Sequence, residues 1–395
     1  MRNAGVNPDL RSLTGLRFVT MLPVFLIHAS FETVFDDDEV NGFLIYGMGT
    51  SAALMVSFFF VLTGFVMTWS RRPGDTARRF WRRRFFRVVP SHVVTYAIAV
   101  ALMVWAGAVL DPIATVTQLF LLQAWVPDPA FFDTGNTVTW SLSADLFFYA
   151  LFPALVPVVG RIREDRLWWW LVPPVAVLLV LPAIATAALP DTPEMPLGGV
   201  SVSQYWLVFF NPLTRLLECV LGMLVARAVL SGRWIGLRPW VPALLLVVVY
   251  LATLRLPFLY RLDAIGIIPV VLLVGAVASA DLSGGTWLGR RWLVYLGELS
   301  FGFYLTHNLV LKYGHLAFGT TWEEGEWVPR SWSTPIGVAL IVAAFAVSLL
   351  AAWLLHTLVE KPVVRAWSKP RRRTDPDGED PIEPAAPPIV RSPGN

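Results

Sequence analysis

Ten stretches of apolar residues, each close to the length of a hydrocarbon core, alternate along the chain with short connections in which arginine accumulates. About 20 helical residues cross a core of roughly 30 Å. Inside lipid every backbone polar group must find its partner within the spanning structure, which for single apolar runs of this length means a helix. The stretches lie near 13–31, 50–70, 87–110, 140–159, 168–189, 205–229, 239–254, 263–280, 292–315 and 334–358. The expected fold is all-α, a polytopic membrane helical bundle of about ten transmembrane helices. Charged residues make up only 15% of the chain, where a soluble domain carries about 25%. A soluble enzyme and a disordered scaffold are excluded together. A nucleic-acid partner is excluded too, because the basic residues sit in short runs between apolar stretches. The single cysteine, Cys219, lies in an apolar segment, so neither an intrachain disulfide nor a Cys-rich metal site is expected.

Basic residues set the expected orientation. With the N-terminus in the cytoplasm, 26 of the 31 lysines and arginines fall on the inner side, eight of them between Arg71 and Arg87, while Arg255, Arg261, Lys312 and Arg330 fall outside and Arg215 lies within a span. The positive-inside rule then gives N-in and C-in. The first span carries Arg17 and His28 and has no short clean apolar core before a small-residue cleavage site, so it is expected to remain in the mature protein. Residues 1–12 form a cytoplasmic segment, 13–367 the membrane domain, and 368–395, rich in Pro and charge, a disordered cytoplasmic tail. Between the third and fourth spans, TVTQLFLLQAW suits a short interfacial or re-entrant helix.

Ionisable groups within spans cost at least ~2.5 kcal/mol near the bilayer centre, so each is a functional candidate. Arg17 and His28 are eleven residues apart, about three turns, on one face of the first helix and ~16 Å apart along it. The fourth span opens with TWSLSADLFFYALFP, which puts Ser141, Asp145 and Tyr149 on one stripe. Asp145 needs a partner there, and His28 is the expected one, a carboxylate fixing the imidazole tautomer. His307 is a second imidazole in a span, either a core histidine or part of an acceptor pocket. Arg84 and Arg87, at i and i+3 in RFFR, suit a grip on one polyanion by charge-assisted bonds, with membrane anchoring as the plainer reading. Arg215 and Glu218, also at i and i+3, are read first as a structural pair.

These residues, taken in order, resemble the acyltransferase-3 family of integral membrane O-acyltransferases. The resemblance runs over most of residues 10–367 and rests on LTGLRFVTMLPVFLIH with Arg17 and His28, SFFFVLTGFVM, RRFFRVVP with Arg84 and Arg87, TWSLSADLFFYALFP, NPLTRLLECVLGM, LGELSFGFYLTHNLV and LVEKPVVR. It implies an enzyme that transfers an acyl group, often acetyl, from cytoplasmic acyl-CoA to a hydroxyl, commonly on a sugar of a glycan or a glycosylated natural product. His28 would be the catalytic base, Arg84 and Arg87 would hold CoA phosphates, and Arg17 would line the donor path. No permanently bound cofactor and no metal are expected, acyl-CoA being a co-substrate. The family's WSLS motif usually continues to Glu, whereas this sequence has Asp145, one methylene shorter. Some members carry an appended hydrolase-like domain, and here the transfer is expected to be completed within the membrane domain.

The spacing along the first helix fits such a reaction independently. Phosphate binders at the inner face must be separated from thioester chemistry by the length of a pantetheine arm, and ~16 Å between Arg17 and His28 is of that order. Asp145 would orient His28 and stabilise the imidazolium, with Ser141, Tyr149, His307, Arg215 and Glu218 as pocket or support. The competing expectation is a proton-coupled transporter or flippase in which Arg17, His28 and Asp145 form a relay. A cell-membrane location, contact with the bilayer, and an acyl-CoA and a hydroxyl-bearing partner, a sugar for preference, complete the expectation.

Overall fold

A computed structural model describes residues 8–367 apart from 73, 133, 197, 263, 319, 324 and 325. The tail expected at 368–395 lies outside the described residues. The chain runs through α1 (Arg11–Phe31), α2 (Asp38–Trp69), α3 (Ala77–Trp105), α4 (Pro112–Leu119) and α5 (Pro129–Phe132). It continues through α6 (Trp140–Gly160), α7 (Leu167–Ala188), α8 (Val202–Tyr205), α9 (Pro212–Leu230) and α10 (Trp240–Thr253). α11 (Phe258–Leu262), α12 (Ile267–Leu282), α13 (Arg291–Phe318), α14 (Thr334–Leu355) and α15 (Lys361–Trp367) complete it. A two-stranded antiparallel hairpin, β1 (Thr320–Glu323) and β2 (Glu326–Pro329), follows α13.

Each of the ten apolar stretches contains a principal helix, but among the described residues seven segments are long and apolar enough to cross a membrane by length and composition. The other three differ for physical reasons: α10 has 14 residues, α9 carries Arg215, Glu218 and Arg227, and α13 is diluted by Glu298, Thr306, His307 and Asn308. Two helices begin earlier than hydropathy alone indicates. Asp37 caps α2 by accepting from the Glu39 and Val40 amides, and Thr76 caps α3 by accepting from the Arg79 amide. Capping therefore draws the whole RRFWRRRFFR run into α3. The TVTQLFLLQAW segment becomes the eight-residue α4 and a 3₁₀ turn, too short to cross.

The arginine-bearing helix ends are joined to one another. Arg227 of α9 donates to the Val159 and Ile162 carbonyls at the end of α6, the Trp168 indole donates to the Arg233 carbonyl, and Asp281 at the end of α12 accepts from the Ser12 amide at 2.9 Å. At the opposite end the backbone pairs Val34 and Asp36 with Trp332, and Tyr250 donates to the Gly47 carbonyl. The large apolar side chains left exposed on α7, α10 and α14 face outward, as lipid contact requires.

The core is built on α1, α2, α9, α12 and α13, which approach one another through glycines. A methyl at Gly64 or Gly222 would fall 1.9 Å from the Cys219 or Val61 carbonyl oxygen, so α2 and α9 meet backbone to backbone. Gly297 of α13 stands equally close to the Thr14 carbonyl of α1. Gly222→Ala should therefore force α2 and α9 apart and cost about 1–3 kcal/mol, typical of overpacking. Thermal unfolding in detergent measures it, and a melting point equal to that of the native chain would contradict the contact.

Candidate functional site

At the arginine-bearing end, α1, α3 and α6 bring Arg17, Arg84, Arg87, Asp145 and Tyr149 into mutual electrostatic range. The Arg84 guanidinium lies over the rings of Phe80 and Tyr149, 5.5 and 5.6 Å from their centroids. Arg17, Arg84, Asp145 and Tyr149 are half-buried and Arg87 is exposed. Neighbouring arginines of the same run are already engaged: Arg83 makes a two-pronged bond to Asp75, and Arg82 donates to the Trp367 carbonyl. The Arg83 guanidinium holds the Asp75 carboxyl below the usual carboxylate range. By contrast, the guanidinium groups of Arg17, Arg84 and Arg87 make no hydrogen bond with a described residue. Three clustered cations with unspent donors are able to make charge-assisted hydrogen bonds to an anion.

A cavity of about 250 Å³ opens beside this cluster, lined among others by Leu13, Arg17, Val66, Trp69, Arg71 and Arg72. A second, of about 350 Å³, shares Arg71 and Arg72 and reaches Arg227. Arg17 is therefore both a member of the cluster and a wall of the opening.

Three turns further along α1, His28 meets α13. Its Nδ1 lies 2.7 Å from the Val24 carbonyl and 3.2 Å from Nε2 of His307, while Nδ1 of His307 lies 2.9 Å from the Phe303 carbonyl. His307 is fully buried and stacked on Phe303, with ring centroids 5.5 Å apart, whereas His28 keeps part of its surface open. Beyond the pair, Glu32 stands 3.6 Å from His315, which also bonds the Arg330 carbonyl.

The expected Asp145–His28 contact does not form. Asp145 lies on α6 at the level of Arg84 and interacts with it and with Thr63 of α2, and its Oδ1 is buried without a hydrogen-bond partner among the described residues. The stripe it belongs to serves three neighbours in turn: Ser141 bonds the Tyr304 hydroxyl of α13 at 3.0 Å, Asp145 faces α2 and α3, and Tyr149 faces Arg84. His28 takes its partner from α13 because α1 and α13 run side by side from the Thr14–Gly297 contact outward.

Arg215 and Glu218 lie apart from both groups, fully buried between α2 and α9. Arg215 Nη1 donates to Glu218 Oε1 at 2.7 Å, Ser57 donates to the same oxygen at 2.9 Å, and Arg215 Nε donates to the Phe209 carbonyl at 2.6 Å. That carbonyl is exposed to it by a π-helical turn over Trp206–Phe210. Through these bonds the pair joins α9 to α2 and to the turn before it.

Sequence reasoning missed Thr63, Tyr304, Glu32 and the buried His356–Glu360 pair, 2.8 Å apart in a second π-helical turn. Glu32 follows His28 by four residues and Tyr304 precedes His307 by three, so helical spacing from a candidate histidine points to both. Thr63, a single hydroxyl in an apolar run, gives no such signal.

A family model described as an acyltransferase domain matches residues 10–357. The chain is 37% identical over 396 residues to the acyltransferase MdmB of Streptomyces mycarofaciens, covering 97% of this chain and 98% of that protein. It is 24% identical to the putative peptidoglycan O-acetyltransferase YrhL of Bacillus subtilis, over 89% of this chain and 54% of that protein. Identity to the peptidoglycan O-acetyltransferase OatA of Listeria monocytogenes is 21%, over 89% of this chain and 56% of that protein. The chain thus spans little more than half the length of these last two. No solved structure matches it.

Removing one member of the Arg215–Glu218 pair leaves a buried charge facing apolar helices. Glu218→Gln should destabilise the protein by about 3–5 kcal/mol, while Arg215→Met combined with Glu218→Leu should recover most of that loss. Thermal denaturation of the two variants decides it, and equal losses would show that the ionic pair is not what matters there.

Proposed function

This chain belongs to the acyltransferase-3 family and is an acyltransferase, and from that premise we propose that it moves a short acyl group, acetyl in the simplest case, from acyl-CoA to a hydroxyl of a sugar, a glycan or a glycosylated natural product. One observation carries the donor assignment: Arg17, Arg84 and Arg87 converge with their guanidinium donors unspent, beside a cavity that Arg17 lines. CoA is a polyanion on a long flexible arm. Its phosphates suit Arg84 and Arg87, and the arm follows Arg17 inward to a thioester held near His28, ~16 Å further along α1.

The chemistry then needs one base. The His28 imidazole takes the proton of the acceptor hydroxyl as that oxygen attacks the thioester carbonyl carbon. The carbon–sulfur bond breaks, the sulfur leaves with its electron pair, and the imidazolium returns the proton to it, so the products are an ester and a free thiol. Asp145 does not orient the base in this scheme. It tempers the positive charge of the arginine groove and keeps the phosphate site from binding product too firmly.

Two relatives are named for peptidoglycan, whose hydroxyls belong to sugars, and this favours a sugar-containing acceptor. A cytoplasmic donor and the arginine-bearing end together favour a cell-membrane protein with both termini inside. A relay through Arg17, His28 and Asp145 is less well supported, since Asp145 and His28 engage different partners.

Thermal melts with CoA and acetyl-CoA test the donor site without any acceptor. A hundredfold excess of ligand over its Kd should stabilise the native chain by about 2.7 kcal/mol, and Arg84→Ala with Arg87→Ala should abolish the shift. Absence of a shift in folded native protein at millimolar CoA would refute the donor assignment. His28→Ala should lower transfer at least a hundredfold while leaving the CoA-induced shift intact, and retained transfer would remove His28 from the chemistry.

A further inference from the structure

We infer that His307 is a positioning residue that fixes the tautomer of His28 and takes over the orienting role usually filled by a carboxylate; this rests on the reading of His28 as the base.

The inference follows from counting donors and acceptors. The Phe303 carbonyl, 2.9 Å from Nδ1 of His307, can only accept, so that nitrogen carries the hydrogen and Nε2 of a neutral His307 is left with a lone pair. This lone pair lies 3.2 Å from Nδ1 of His28, and the Val24 carbonyl lies 2.7 Å from the same atom. Two acceptors converge on one nitrogen, and both require it to carry hydrogen. Nε2 of His28 therefore holds the lone pair, makes no hydrogen bond with a described residue, and belongs to a ring that keeps part of its surface open. It is the nitrogen free to take a proton from an acceptor hydroxyl. Once it has done so, Nδ1–H of the imidazolium donates more strongly to His307, which shares the charge without carrying one beforehand.

The residues on either side of His307 hold it in place. Thr306 reaches the Ser348 carbonyl of α14, Asn308 donates to Thr137 Oγ1 at 3.0 Å, and Asn136 donates to the Leu305 carbonyl at 2.9 Å. The ring is nearly parallel to that of Phe303, with 3° between planes. A half-turn of the ring would keep the stack but lose the Nδ1 bond to the Phe303 carbonyl, which holds this orientation.

The charged surroundings are sparse. Glu32, four residues beyond His28 and just past the end of α1, is the carboxylate acting on it, and it is engaged by His315 of α13. α14 has no charged side chain between Thr334 and Leu355, and α2 has none between Gly42 and Trp69. Asp281 of α12 is tied to the start of α1, and Asp145 of α6 belongs with Arg84.

Two variants separate positioning from packing. His307→Phe keeps an aromatic ring against Phe303 but has no lone pair, and His307→Gln keeps an acceptor. His307→Phe should lower kcat about a hundredfold or more, the scale of a lost acid–base contribution, with KM for acetyl-CoA unchanged. His307→Gln should stay within about tenfold of the native rate. The acid limb of kcat against pH should move to lower pH in His307→Phe, because the imidazolium has lost its acceptor and holds its proton less firmly. Nitrogen-15 spectra of the histidine side chains should show Nε2 of His28 unprotonated in the native chain and a larger share of the Nε2-protonated tautomer in His307→Phe, where the Val24 carbonyl alone holds the hydrogen on Nδ1. A folded His307→Phe enzyme with native kcat and pH profile would overturn the inference. So would a Gln variant as poor as the Phe variant with the His28 tautomer unaltered in both, since packing alone would then explain the loss. Should His28→Ala remain active, the base reading itself fails, an outcome distinct from either.

Discussion

Everything in the site depends on how closely α1 and α13 can lie together. Side chains ordinarily hold helix axes 8–10 Å apart, and a glycine at the crossing removes that spacer. Gly297 lets the Thr14 carbonyl of α1 come into contact with α13, and Gly15 lets α1 meet the Leu288 carbonyl at the same end. From there the two helices run in the same direction, so His28 and His307 meet further along, followed by Glu32 and His315. Asp281 secures the start of α1 by accepting from its unpaired Ser12 and Leu13 amides, leaving little freedom for the helix to slide.

The molecule handles its intramembrane charges in two ways. Arg215 and Glu218 neutralise one another and also bond Ser57 and the Phe209 carbonyl, so their charges are spent on the protein. The guanidinium groups of Arg17, Arg84 and Arg87 make no hydrogen bond with a described residue, Arg17 lines a cavity, and Tyr149 and Asp145 lie within electrostatic range of Arg84. The first arrangement ties helices together; the second leaves a local excess of positive charge, the feature on which the proposed donor site rests.

Much of this was legible in the sequence, and what was not has identifiable causes. Apolar run length located the principal helices, and helical spacing put Arg84 beside Arg87 and Arg215 beside Glu218. Helix starts were misplaced at α2 and α3 because hydropathy registers apolar content, whereas Asp37 and Thr76 set the boundary through capping. The partner of His28 was misassigned for a different reason. A carboxylate is the stronger partner in principle, yet which helix lies next to α1 is decided by Gly297, and nothing in the spacing of Asp145 encodes the distance between α6 and α1 at the level of His28. Thr63 was illegible because one hydroxyl among apolar residues looks like any other.

The two π-helical turns, Trp206–Phe210 and His356–Glu360, have a consequence for how this sequence can tolerate change. Each holds one residue more than a regular turn would, so deleting a residue there heals the hydrogen-bond ladder locally. The helix on either side keeps its phase, because the wide turn already absorbs the extra residue, and what is lost is the local backbone arrangement of the turn itself. For the first turn this would swing the Phe209 carbonyl away from Arg215; for the second it would separate His356 from Glu360. A deletion in either turn should therefore leave the helix packing intact while undoing one buried polar contact, so the two wide turns hold local ties and not the phase of the bundle.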